Sequence, residues 1–239
     1  MPVAELFAKP PVPFPRERIT TVIPAKDEAQ SIAELIERAS EYSIQIIVVD
    51  GHSKDDTREI AERNGAKVIL DNGKGKGDAI RCSIPHVTTE IIVFMDADWS
   101  HDPDDIPILA TPILNGTADH VTGSRLIGGS SELHGGFDEF LRLMGSSFIT
   151  ACINFRYGAR LSDSQNGFRA IKTEVIRKLG LTENITTIEQ EMIMKTLRHG
   201  FKMGEVPTHE YCRKYGQSHI RLSRVWFFYG FNLIRNLLR

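Results

Sequence analysis

No stretch of this 239-residue chain reaches the roughly 18 apolar residues that a bilayer-crossing helix needs, so the sequence predicts no spanning segment. Its three cysteines, Cys82, Cys152 and Cys212, lie far apart without paired spacing. That spacing excludes a disulfide framework and a zinc knuckle, and predicts reduced thiols in a cytoplasmic compartment. An excess of either charge is also missing. Lys+Arg 29 against Asp+Glu 31 leaves −2, which removes the global electrostatic argument for a nucleic-acid partner. The first 18 residues carry Pro10, Pro11, Pro13 and Pro15 and no apolar core of signal-peptide length, so 1–18 reads as a proline-rich leader or strap. "GKGKG" lacks the spacing of a P-loop, the first strand-to-helix turn lacks GxGxxG, and no GxSxG is present. Nucleotide-hydrolase, nicotinamide and serine-hydrolase readings fall together.

What is present is core material. A hydrophobic content of 41% with 25% charged residues suits one α/β domain of above-average size. "ITTVI" at 19–23 reads as a strand stopped by Pro24, and Ile32, Leu35, Ile36 and Ala39 follow at helical spacing. "IQIIVV" at 44–49 is apolar without alternation, as expected of a parallel strand covered on both faces, and it runs into Asp50. A helix from about Asp55 stops at Gly65; "AKVILD", a Gly/Lys loop with a short helix, and "EIIVFMDAD" complete four strand-then-helix units. This pattern predicts a mostly parallel, doubly wound sheet with its ligand site beyond the strand carboxyl ends. Later come a strand from about His120 to Arg125 and a glycine-rich segment at 128–136, which is a candidate lid. A mostly apolar helix, a polar turn with a short strand or turn near Phe168, a helix striped by Ile188, Met192, Ile193 and Leu197, and a last strand in "FKMGEVP" follow.

The sharpest chemical signal is Asp96 and Asp98, one residue apart at a strand end. Two carboxylates so close resist joint ionisation unless a cation or hydroxyls lie between them, and an all-oxygen setting suits Mg²⁺ or Mn²⁺ better than zinc. His101 is a further ligand, a phosphate partner or a packing residue. Asp27 and Asp50 occupy equivalent strand-end positions, while Asp55 caps the following helix. Lys74 and Lys76 are placed to meet a diphosphate, and Arg125, Arg169 and Arg213 supply guanidinium groups suited to phosphate.

"TVIPAKDEAQSI", "IIVVDGHSKDDT", "GKGKGDAIR", "FMDADWSHDP", "TGSR", "SDSQNGFRAI", "EQEM" and "EVPTHEYCRKYGQSH" occur in that order over about 19–219. Together they resemble the large inverting class of nucleotide-sugar glycosyltransferases with a DxD-like element, and within it the polyprenyl-phosphate (dolichyl-phosphate) mannose and glucose synthases. The resemblance implies a GT-A fold over 19–220, a nucleotide-diphosphate sugar donor, GDP-mannose first and UDP-glucose second, and a polyprenyl-phosphate acceptor. It places Pro24, Ala25, Asp27, Glu28 and Asp50 at the nucleotide base and ribose, Lys76 at the diphosphate, and Asp96 and Asp98 at nucleotide and Mg²⁺ or Mn²⁺, with Ser100 beside them. Arg125, Arg169, Arg213, Ser218 and His219 would bracket donor diphosphate and acceptor phosphate, and Gln190 and Glu191 would orient the sugar. The chain departs from the family pattern at Ala25-Lys26 and at His219, where a lysine or arginine is common. A phosphate acceptor is already anionic and needs no strong base; were a hydroxyl the acceptor, Asp163 is the candidate base.

Residues 221–239 read as an amphipathic aromatic helix. Trp226, Phe227, Phe228, Tyr229 and Phe231 alternate with Arg221, Arg224, Arg235 and Arg239, a composition suited to a bilayer interface, to the core, or to a dimer or membrane partner. The implied location is peripheral, on the cytoplasmic face of a membrane.

Overall fold

The apolar run at Ile19–Ala25 forms β1, the centre of the sheet, with parallel neighbours β2 (Gln45–Asp50) and β4 (Ile91–Phe94) on its two sides. Pro24 does not stop the strand. The last β1–β4 rung is Val22↔Phe94, so the missing N–H falls beyond that ladder and β1 continues beside β2 to Ala25↔Asp50. The computed structural model describes residues 10, 12–131, 137–215 and 222–237; Ser218, His219 and lid positions 132–136 lie outside them.

The other strands are β3 (Lys67–Leu70), β5 (His120–Ser124), β6 (Arg169–Lys172) and β7 (Met203–Pro207). The sheet order is β3-β2-β1-β4-β6-β5-β7. All strands run parallel except β6, which pairs antiparallel with both β4 and β5. The fold is therefore the expected α/β GT-A architecture with one reversed strand.

Helices α1 (Ile32–Ser40), α2 (Thr57–Arg63) and α4 (Ile106–Leu114) cover one face, sealing a core that contains Ile23, Leu35, Ile91 and Ile106. α3 (Lys76–Ser83), α7 (Thr173–Lys178) and α8 (Ile188–Arg198) cover the other, over Val49, Ile80, Phe94 and Met192. The short α5 (Arg125–Gly128) follows β5, with Ser124 Oγ accepting from the Ile127 N–H at 3.3 Å. α6 (Phe137–Tyr157) and α9 (Leu222–Leu237) form a third packing cluster with α8, centred on Ile153, Leu161, Ile193 and Leu233. Phe14, in the proline-rich leader, packs edge-on against Tyr42. The described part of the glycine-rich segment is tied down: Ser131 N–H donates to Glu210 O at 2.7 Å, and Glu210 N–H to Gly129 O at 3.1 Å.

Candidate active site

Where β1, β2 and β4 end, the chain turns sharply enough that Asp27, His52 and Trp99 adopt φ of 56°, 62° and 66°. Such a conformation is costly for side-chain-bearing residues and tends to collect at functional sites. Asp27 is fixed in it by accepting the Lys54 N–H at 2.7 Å while its own N–H donates to Ser53 Oγ. Asp50, the last residue of β2, is fully buried and accepts the Ser53 N–H, with Arg58 Nε 3.6 Å away. Pro24 and Ala25 close β1 beside it, and Glu28 N–H donates to Thr57 Oγ1.

Asp96 follows β4 and meets Lys76, the first residue of α3, at 2.5 Å; the same ammonium lies 2.9 Å from Glu189 of α8. Burial opposes ionisation of Asp96, yet Lys76 outweighs it and holds the carboxyl at about 2. For Lys76 burial also opposes charge, and the two carboxylates override it, raising its pKa. This close approach needs Gly167: a Cβ there would lie 2.7 Å from Lys76 Nζ and 3.0 Å from an Asp96 oxygen. His101 stacks on Phe168 and takes the Asp96 N–H on Nδ1 at 3.2 Å. Burial lowers its pKa, so it serves as a neutral backbone acceptor and packing residue.

Asp98 sits in a second cluster. Its Oδ1 accepts Ser100 N–H and Oγ–H at 3.0 and 2.6 Å, and its Oδ2 lies 2.7 Å from Arg213, whose other nitrogen lies 2.9 Å from Glu28. Burial raises the Glu28 pKa despite Arg213. Lys214 Nζ reaches Glu34 and stands 4.8 Å from the Trp99 ring, while its N–H donates to Asp98 O. The 211–214 segment is thus laid across the end of β4.

Some expected phosphate and sugar residues are not brought to these clusters. Arg125 is chelated by Asp163 at 2.6 and 3.0 Å and touches Glu210 at 3.3 Å, leaving it a tie between α5 and the strands behind it. Arg169 is completely buried under the site, donating to the backbone carbonyls of Glu189 and Asn166; burial lowers it to about 10. It positions the Asn166-Gly167 turn and Glu189 and does not reach solvent. Glu191 accepts the Thr182 and Glu183 N–H groups and pairs with Lys195, and Gln190 donates to Asn232 of α9. Glu189, two residues earlier, is the member of "EQEM" that faces Lys76. α8 is buried on nearly every side from Ile188 to Met194, so hydrophobic phase cannot single Glu189 out.

Among the described residues no group of three His, Cys, Asp or Glu side chains is arranged to hold a metal ion. Asp96 and Asp98 do fit Mg²⁺ or Mn²⁺ in donor type, being hard oxygen ligands. Asp98 Oδ2 carries Arg213, so an ion there must share or displace that guanidinium.

Residues 20–180 match Glycosyl transferase family 2. Glycosyltransferase AglJ of Haloferax volcanii is 31% identical over 202 residues, 84% of this chain and 65% of AglJ, so the chain spans less than two thirds of that relative. The dolichyl-phosphate hexose transferase of the same organism is 27% identical over 192 residues, covering 79% of this chain and 81% of that protein. Glucosyl-3-phosphoglycerate synthase from Mycobacterium tuberculosis, solved with Mn²⁺, UDP-glucose and phosphoglyceric acid, superposes with a TM-score of 0.74 over 92% of this chain and 79% of its own, at 21% identity. The two proteins share the fold.

Proposed function

Because the chain belongs to glycosyl transferase family 2, we propose that it moves a hexose, with inversion at the anomeric carbon, from a nucleoside-diphosphate donor to the phosphate of a polyprenyl phosphate. GDP-mannose is the first donor to test and UDP-glucose the second. The similarity to a dolichyl-phosphate hexose transferase supports the acceptor class. The observation that carries the reading is the state of Asp163. Both its oxygens are engaged by Arg125, it also accepts the Gln165 N–H, and the Arg125 pairing overcomes burial to lower its pKa. A carboxylate so held is a poor general base. Its neighbours Glu205 and Glu210 are engaged too, by the Ser162 and Asp163 N–H groups and by Arg125 and Ser130. An acceptor that is already an anion needs none of them.

In this mechanism a phosphate oxygen of the acceptor forms the new bond to the anomeric carbon as the bond to the donor's diphosphate breaks, and the nucleoside diphosphate leaves with the electron pair. Pro24, Ala25, Asp27, Glu28 and Asp50 hold the base and ribose. Lys76 faces the diphosphate, and its pairing to Asp96 and Glu189 fixes the ammonium before the donor arrives, so little reorganisation is needed as charge develops. Mg²⁺ or Mn²⁺ held by Asp96 and Asp98 would neutralise the leaving diphosphate. Arg213 spans Asp98 and Glu28, at the border between donor and acceptor, and Ser218 and His219 follow it in sequence. The lipid acceptor places the enzyme at a membrane surface, with α9 as the contacting element.

A panel of radiolabelled nucleotide sugars, incubated with polyprenyl phosphate and either Mg²⁺, Mn²⁺ or a chelator, tests this. Label extracted into the lipid phase from GDP-mannose, and lost with chelator, is the expected result. Label that enters only a water-soluble phosphate acceptor would overturn the lipid assignment.

A further inference from the structure

α6 and α9 are far apart in sequence and adjacent in space. Leu233 of α9 packs with Ile153 of α6, Tyr157 Oη donates to Asn236 O at 3.1 Å, and Arg156 Nε donates to Leu237 O at 3.2 Å. Both helices turn these residues toward the same core, so their opposite faces point outward together. On α6 that outer stripe carries Phe148 and Phe155, 66% and 94% exposed; on α9 it carries Phe227, Phe231 and Ile234, all exposed. Spacings of seven residues in α6 and four and three in α9 keep each set on one side of its helix. Aromatic residues exposed in adjoining stripes are unusual on a surface that faces only water.

Charge is distributed to match. Segments 141–161 and 211–239 hold nine of the 29 Lys+Arg and none of the 31 Asp+Glu, although the chain as a whole is slightly acidic. Arg156 and Arg160 are exposed at the end of α6 and just beyond it. Two copies of a face framed only by cations would repel, whereas an anionic lipid surface would attract both the cations and the aromatic stripes.

We propose that the outer faces of α6 and α9 together form a docking surface for an anionic lipid bilayer, with Phe148 and Phe155 of α6 entering the interface beside Phe227 and Phe231 of α9. This deepens the polyprenyl-acceptor reading and rests on it for its purpose. Two helices fix the orientation of the enzyme on the bilayer, which one helix can leave free to roll. Gln190 and Glu189 are successive residues of α8, one bonded to α9 and the other to Lys76, so the docking surface is one helix away from the active site.

The test uses the full chain and co-sedimentation with vesicles of phosphatidylcholine alone or mixed with phosphatidylglycerol. The wild type should bind the mixed vesicles more tightly, and high salt should weaken that binding. Joint Phe148→Ser and Phe155→Ser substitution should lower the partition coefficient at least about tenfold with an unchanged thermal midpoint, and Phe227→Ser with Phe231→Ser should do the same. Wild-type binding by the α6 pair would overturn the two-helix surface. A concentration-dependent dimer broken by the α6 pair would overturn it in favour of a second copy of the chain. Transfer to a short, water-soluble prenyl phosphate is measured in parallel: transfer without vesicle binding defeats the docking surface alone, and vesicle binding without transfer from any donor defeats the functional reading alone.

Discussion

Asp98 has every strong contact a carboxylate can use short of a metal: two donors from Ser100 and the guanidinium of Arg213. Asp98→Asn keeps acceptor capacity for Ser100, and Glu28 continues to hold Arg213, so the fold should survive. Turnover should fall on the order of 10²-fold with a shifted or abolished Mn²⁺ response, read from kcat across a metal titration, because an interaction with developing charge is lost. Asp105 presents the opposite case. Burial and its neighbour Asp102 push its carboxyl up to about 6. A carboxyl raised above its unfolded value of about 3.9 favours the fold at low pH, and that contribution disappears as pH rises through the folded pKa. Asp105→Asn should therefore match the wild type near pH 4 and exceed it by about 1 kcal/mol above pH 6.5, a figure reduced for the group's partial exposure, as urea unfolding across that range would show. At this scale the sequence could nominate Asp96 and Asp98, since both follow directly from the end of β4. It could not separate Glu189 from Glu191, which depend on how α8 is rotated about its axis.

The element that organises the site from below is the 182–186 loop. Glu191 draws in the Thr182 and Glu183 N–H groups, Arg235 of α9 pairs with Glu183 at 2.5 Å, and Asn184 O accepts the Asp78 N–H. The start of α3 is therefore pinned by α8, α9 and the loop together. Gly77 is the point of closest approach: a Cβ would stand 2.6 Å from Glu183 O and 2.8 Å from Ile185 O. Since those atoms are backbone, Gly77→Ala should cost about 1–3 kcal/mol in urea unfolding and, by moving the neighbouring Lys76, raise the donor KM. The parallel half of the sheet was legible because its strands are short apolar runs closed by Pro24, Asp50 and Asp96. The reversal of β6 and the presence of α4 were not. β6 is only four residues long, and α4 carries Pro107 in its first turn and Pro112 near its end, which obscures a helix in sequence.

On the scale of the molecule, α9 has two faces with different work. Leu233 is almost fully buried against Ile153, Leu161, Ile193 and Met194, and Asn232 accepts from Gln190. Leu233→Ala should cost about 2–4 kcal/mol by leaving a cavity, measured by urea unfolding. Removing 222–239 outright would expose this whole cluster, so exposed-face substitutions separate membrane binding from folding more cleanly than truncation does. No helix among the described residues is long and apolar enough to cross a membrane.

The sequence by itself determined the α/β class, the succession of strands and helices through β4, and the positions of Asp27, Asp50, Asp96 and Asp98 at strand ends, because burial on both faces and chain-stopping residues are local properties. It also determined the opposition of aromatic residues and arginines in 221–239, which needs only the helical repeat. Tertiary structure alone decided which cation meets which acid: Lys76 with Asp96 and Glu189, Arg213 with Asp98 and Glu28, Arg125 with Asp163 and Glu210. Each of these contacts joins segments that sequence spacing does not relate, and their strength depends on the burial that only the assembled sheet and its three layers of helix packing provide.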